Sequence, residues 1–189
     1  SLTDVSFLRP TQWVGLDNYA RLLSDTRFHQ AVGNTVFYTL GVTFPTMALG
    51  LLAAVALNRR FPMRVAFRTI FYLPVLTSLI AAAVVWVYLY EPYAGPMNGL
   101  LVSLGLSPQP WLQSPNLAMT ALIIMAVWRD FGTAMIIYLA GLQDIPEEIY
   151  EAARLDGASR FAILRRITVP MLASVTFYLM IILVVQSFQ

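Results

Sequence analysis

The sequence predicts an all-α fold that crosses a membrane several times, and three observations carry that prediction. Charged residues make up only 12% of the 189-residue chain, against roughly a quarter in an ordinary soluble domain. Hydrophobic residues make up 58%, and they come in long blocks rather than alternating with polar ones, as segments facing lipid must. The basic residues, all of them arginine, gather in alternate links between the blocks, which separates an inside from an outside.

Crossing a hydrocarbon core takes about 20 mostly apolar helical residues, and four segments meet that requirement. The first, 35–57, has no acidic or basic side chain between His29 and Arg59 and contains Pro45, which a membrane helix tolerates when neighbours satisfy the freed carbonyl. The second, 69–90, contains Pro74 and ends in Trp86, Tyr88 and Tyr90, an interfacial aromatic belt. The third, 117–142, is uncharged except for Arg129 and Asp130 near its middle. The fourth begins at Pro170 and is still apolar at Phe188, so 170–189 reads as a truncated span. Because the chain starts at Ser1 rather than Met and stops within an apolar stretch, it is expected to be a fragment lacking sequence at the C-terminus and also at the N-terminus.

The link 58–68 holds Arg59, Arg60, Arg64 and Arg68 without an acid, whereas 91–116 holds no basic residue. Cytoplasmic links are the arginine-rich ones, so 58–68 lies inside and 91–116 outside. Alternation then puts 1–34, with a surface helix over Leu16 to Leu23, outside. It puts 143–169, with Arg154, Arg160, Arg165 and Arg166, inside. Pro92, Gly95, Pro96, Pro108, Pro110 and Pro115 mark turns around a short helix near Met97 to Leu104 in the outer link.

Several function classes are excluded by composition. With no cysteine, disulfide, thiolate and iron–sulfur chemistry are unavailable. A net charge of +2 without a dense basic run argues against nucleic acid as a partner. The single histidine, His29, has no nucleophile, base or metal cluster around it, so a membrane enzyme is not expected.

The inner link 143–169 carries the most information. Pro146 followed by Glu147 and Glu148 starts a helix, since proline suits the first turn and acids complement its positive end. Asp156 and Gly157 stop it after Leu155. A second helix from Ser159 puts Phe161, Leu164 and Ile167 on one side and Arg160, Arg165 and Arg166 elsewhere. From pattern alone this is either a helical hairpin lying on the membrane or a docking element, with Glu147, Glu148 and Glu151 entering a basic groove and Ala152 and Ala153 permitting close backbone approach.

Glu151-Ala152-Ala153, Gly157, Ile167 and Pro170, at fixed spacing over 20 positions, resemble the EAA signature of binding-protein-dependent ABC importer permeases. Val169 departs from the leucine usual there. The resemblance extends to VGLDNYARLL at 14–23, GNT at 33–35, FRTIFYLP at 67–74 and AGLQDIPEEIYEAARLDGAS at 140–159, and is similar to the maltose and glycerol-phosphate carbohydrate type. It implies a type I helical bundle of about six spans, four of them present, in a bacterial or archaeal plasma (inner) membrane. It implies as partners a second, homologous permease, two ATP-binding cassette subunits, an external solute-binding protein and a sugar. The chain has no Gly-x4-Gly-Lys-Ser/Thr loop, so ATP and Mg would be bound by the partner ATPases, with no cofactor in this chain. The resemblance also makes 147–157 a coupling helix. Glu151 would pair with an arginine of the ATPase, Ala152 and Ala153 would pack in its cleft, and Gly157 would provide the bend.

An arginine and an aspartate inside a span are costly and ordinarily face a bundle interior or a water-filled path. Two readings stay open from the residues: Arg129 and Asp130 line a polar path, or they pair for structure or snorkel toward an interface. By the resemblance, Arg129, Asp130 and Thr133, with Leu183, Gln186 and Ser187 on the next helix, fall where maltose-type permeases contact sugar. The charged pair departs from the small or apolar residues usual there, which bears on the substrate. The alternatives are a permease for glycerol-phosphate-like, amino-acid or peptide solutes and, in another class, a secondary transporter or channel.

Overall fold

A computed structural model describes residues 2–6, 9–59 and 62–188; Arg60 and Gln189 lie outside them. The chain divides into two units, 1–38 and 39–189. In the first, β1 (Thr3–Ser6) and β2 (Arg9–Trp13) form an antiparallel hairpin, followed by α1 (Asp17–Ser24) and the start of α2 (Thr26–Leu57). Asn18 Nδ2 donates to the Thr3 carbonyl at 3.2 Å, holding α1 to the hairpin. These strands are the one addition to an otherwise helical chain among the described residues. Their sequence does not announce them, because short stretches interrupted by Pro10 show no period-2 apolar pattern.

The second unit is helical throughout. Two helices, α2 and α6 (Pro115–Gln143), are long and apolar enough to cross a membrane; at 32 and 29 residues they reach about 48 and 44 Å. α2 starts nine residues before the expected 35 and continues through Pro45. The link 91–116 forms α5 (Pro96–Ser103), as its punctuation predicts.

The spans expected at 69–90 and 170–189 are not single straight helices. α3 (Arg64–Tyr72) runs into a 3-10 turn, Leu73–Leu76, and then bends by 100° into α4 (Leu79–Leu89). Pro74 cannot donate to the helix ladder, and the Thr77 hydroxyl and amide both donate to its carbonyl, at 2.6 and 3.1 Å. Ser78 then restarts the helix by accepting from the Ala81 amide at 3.2 Å, an N-cap. The second break comes after α8 (Arg160–Ile163), a π-helical turn at Leu164–Thr168 and α9 (Val169–Met171). The chain bends there by 66° into α10 (Ala173–Ser187). In a regular α-helix the ring of a proline at 170 would clash with the carbonyl four residues back, and the wider π turn is one of the recognised ways a helix yields.

Small residues on α6 set how closely its neighbours approach, the usual device where lipid supplies no hydrophobic drive. A Cβ on Gly132 would overlap the Phe71 carbonyl, and one on Gly50 of α2 would sit 2.6 Å from the Ala134 Cβ. Gly141 packs against Val175 and Leu172, where α6 ends and α10 begins. The main core joins Met47 and Ala54 of α2, Met135, Tyr138 and Leu142 of α6, and Leu179 and Leu183 of α10. A smaller cluster joins Ala82 and Trp86 of α4 with Ala121 and Met125 of α6.

Candidate functional site

The helix expected after Pro146 is α7 (Glu147–Leu155). Its end is a Schellman motif. Gly157 adopts φ 75°, the Ala158 amide donates to the Ala153 carbonyl at 3.0 Å, and the Gly157 amide donates to the Arg154 carbonyl at 3.1 Å, which satisfies otherwise orphaned carbonyls. Glycine occupies this position without the left-handed penalty. Ser159 then caps α8 through the Ala162 amide at 3.2 Å.

Glu147, Glu148, Glu151, Ala152, Leu155 and Asp156 are exposed, whereas Ile149 and Tyr150 are half-buried and Ala153 is buried. Of the two alanines expected to meet a partner, only Ala152 lies on the open face; Ala153 packs into its own chain. Leu155, 89% exposed, and Phe161, 70% exposed, are docking candidates that the sequence marks only faintly. A leucine beside acids is the signal for the first, and helical spacing groups Phe161 with Leu164 and Ile167. Those two are half-buried and Phe161 is not, because the π turn starting at Leu164 changes the angular period.

Tyr150 ties α7 to the π turn. Its hydroxyl is 3.3 Å from Thr168 Oγ1, and Thr168, buried in that turn, also donates to the Ile163 carbonyl at 3.4 Å. Tyr150 packs against the main core. The exposed acidic face of α7 is therefore fixed to the segment that leads into α10.

On α6, Arg129 and Asp130 form a two-pronged ion pair, Nε to Oδ1 at 2.8 Å and Nη2 to Oδ2 at 3.2 Å, with side chains 29% and 20% exposed. This geometry neutralises both charges within one helix. Thr133 is half-buried one turn further. The expected partners on α10 divide: Leu183 is buried in the main core, Ser187 donates to its own helix at the Leu183 carbonyl, 2.8 Å away, and Gln186 is exposed. Leu183 thus belongs to the packing between helices, and Gln186 is the α10 candidate with an exposed polar side chain.

Trp128, adjacent to Arg129, begins an aromatic column. Its ring meets Trp86 edge-on at 5.6 Å, Trp86 meets Tyr90 at 5.1 Å, and Tyr90 meets Trp111 of the link 91–116 at 5.4 Å. The Tyr90 hydroxyl donates to the Ala121 carbonyl at 2.9 Å. Asn98, 3% exposed, holds the Trp111 end. Its Nδ2 donates to the Pro92 and Gln109 carbonyls, and its Oδ1 accepts from the Gln109 amide and Trp111 Nε1, all within 3.0 Å. All four hydrogen-bonding positions of the amide are used.

Residues 46–189 match the family model described as binding-protein-dependent transport system inner membrane component. The xylose/arabinose import permease of Haloferax volcanii is 34% identical over 98% of this chain and 59% of its own. The trehalose/maltose transport system permease of Thermococcus litoralis is 36% identical over 98% and 63%. The crystal structure of a bacterial alginate ABC transporter in complex with an alginate pentasaccharide-bound periplasmic protein matches with a TM-score of 0.79 and 30% identity, over 89% of this chain and 59% of that one. The chain spans about three-fifths of the length of these proteins. With the family model matched over most of its length and the helical arrangement shared, the chain belongs to the inner-membrane permease components of binding-protein-dependent ABC importers.

Proposed function

We propose that the chain forms part of the translocation path of an ATP-driven sugar importer and receives the stroke of a cytoplasmic ATPase through α7. The observation that carries this reading is the construction of α7: an acidic exposed face with Ala152 and Leu155, closed by a left-handed glycine and tied to the root of α10 through Tyr150 and Thr168. A rigid short helix tied to the chain through Tyr150 and closed by Gly157 transmits displacement, which a flexible loop would absorb. ATP and Mg belong to two ATP-binding cassette subunits; a second permease completes the path, and an external solute-binding protein delivers the solute. The names of the pentose and disaccharide permeases support sugar as the solute class. The half-buried Arg129–Asp130 pair favours a second reading within the same class, a more polar solute such as a glycerol phosphate.

The test is solute uptake and ATP hydrolysis measured together on the complete reconstituted importer. Glu151→Lys and Gly157→Pro are expected to leave the subunit in the membrane while separating hydrolysis from uptake. Unchanged uptake by the Gly157→Pro protein would overturn the coupling role of α7.

A further inference from the structure

Beside α7 lies a cleft of about 910 Å³, bounded by the ends of α2 and α6 and by α7 and α8. Four arginines line it, Arg59, Arg64, Arg154 and Arg160, with two acidic residues, Asp144 and Glu147. None of the four arginines is in salt-bridge contact with a carboxylate among the described residues. Val55 and Leu164 add apolar wall. The cleft thus opens at the ends of two membrane-length helices with an excess of unneutralised planar forks, each able to grip phosphate oxygens in pairs.

We propose that this cleft binds a phosphate ester, and that its occupant in the membrane is the headgroup phosphate of an anionic glycerophospholipid. Basic pockets between spans on the cytoplasmic side recognise such headgroups, and the two bordering helix ends put the cleft at headgroup level. The arginines come from two separate places in the chain, the link after α2 and the α7–α8 hairpin, so one phosphate joins them. The lipid would stiffen the hairpin on which coupling depends. This inference rests on the proposed inside position of α7, but binding itself requires no coupling.

The experiment uses the complete importer in nanodiscs of phosphatidylcholine with and without phosphatidylglycerol, and measures both retained phosphatidylglycerol by mass spectrometry and coupled ATP hydrolysis. The Arg59→Gln/Arg160→Gln protein is compared with Arg165→Gln/Arg166→Gln, which removes equal charge from exposed positions outside the cleft. Retention is expected to weaken about five-fold per cleft arginine removed, with stimulation by phosphatidylglycerol lost, while the control retains both. If the double variant does not assemble, Arg59→Gln and Arg160→Gln singly carry the same comparison. Restoration by inorganic phosphate in phosphatidylcholine discs would keep the phosphate site and assign it to a soluble ester. Equal loss in cleft and control variants, or no loss in either, overturns the proposal. Glu151→Lys separates the two readings, since it is expected to uncouple in both lipids and still retain phosphatidylglycerol.

Discussion

The Tyr150 hydroxyl lies 3.3 Å from Thr168 Oγ1, joining a half-buried side chain of α7 to a buried one in the π turn that precedes α10. Removing it with Tyr150→Phe keeps the ring in the core. A hydrogen bond of this kind is worth about 0.5–1.5 kcal/mol, so uptake per ATP is expected to fall roughly 2- to 10-fold while assembly is retained. Thr168→Val removes the same contact and also the donation to the Ile163 carbonyl, so it should fall at least as far, and the double variant should be no worse than Thr168→Val alone. Additive losses would mean that the two residues act separately.

At Gly157 the left-handed φ of 75° coincides with open space, since nothing lies within 4 Å of a Cβ built there. Gly157→Ala therefore suffers from backbone conformation alone, about 1–2 kcal/mol. It should lower coupling and the thermal stability of the hairpin, whereas Gly157→Asn, which tolerates the left-handed region better, should lose less. Solute uptake and proteolysis of the α7–α8 link measure both effects.

Gly132 presents the opposite case, with ordinary helical backbone but no room. Gly132→Ala drives a methyl into the Phe71 carbonyl, separating α6 from α3 where Phe71 and Phe131 meet edge-on at 5.6 Å. Overpacking of this sort costs about 1–3 kcal/mol, and the yield of assembled complex should drop. Gly99→Ala in α5, where nothing lies within 4 Å, is the matched control and should be neutral or stabilising by up to about 1 kcal/mol.

The contrast between these glycines bears on how much of the molecule is legible in its sequence. Gly157 is legible because its partners are local: Asp156, the preceding acids and the next serine, Ser159, form a stop-and-start signal within one turn. The charge asymmetry of the links and the apolar blocks are legible for the same reason. Gly132 is not, because its constraint comes from Phe71, 61 positions away, and nothing in a local window marks it. The break at Thr77 and Ser78 is present in the letters, as proline followed by a capping serine, but membrane helices tolerate proline, as α2 does at Pro45, so the same residue type gives two outcomes. Asn98 is hidden by its position among turn residues, where asparagine is common; its burial depends on Trp111, Gln109 and Pro92 arriving together.

Asn98 should respond accordingly. Asn98→Ala leaves Trp111 Nε1, the Gln109 amide and two carbonyls without their partner, each a loss of about 1 kcal/mol or more when water cannot enter. The link 91–116 is expected to become sensitive to protease and Trp111 fluorescence to shift toward that of an exposed indole. Asn98→Asp keeps the acceptor for Gln109 and Trp111 but sets a buried carboxylate oxygen against the Pro92 and Gln109 carbonyls, so it should be at least as damaging as Asn98→Ala. Unchanged protection in Asn98→Ala would show that the aromatic contact of Tyr90 with Trp111 suffices.

The ion pair on α6 separates a structural from a solute-facing role by its pattern of losses. Asp130→Ala leaves Arg129 without its two-pronged partner in a half-buried setting, and breaking such a pair from one side is more damaging than removing both charges. If the pair serves packing, Asp130→Ala should lose more stability than the double Arg129→Ala/Asp130→Ala protein, and solute selectivity should be unchanged in whatever assembles. If the pair faces the solute, the double variant should assemble well and still lose affinity, with Gln186→Ala, exposed on α10, reducing affinity for the same solutes. Measuring thermal unfolding and solute affinity on the same three proteins distinguishes the outcomes, because a purely structural pair moves the first quantity and leaves the second alone.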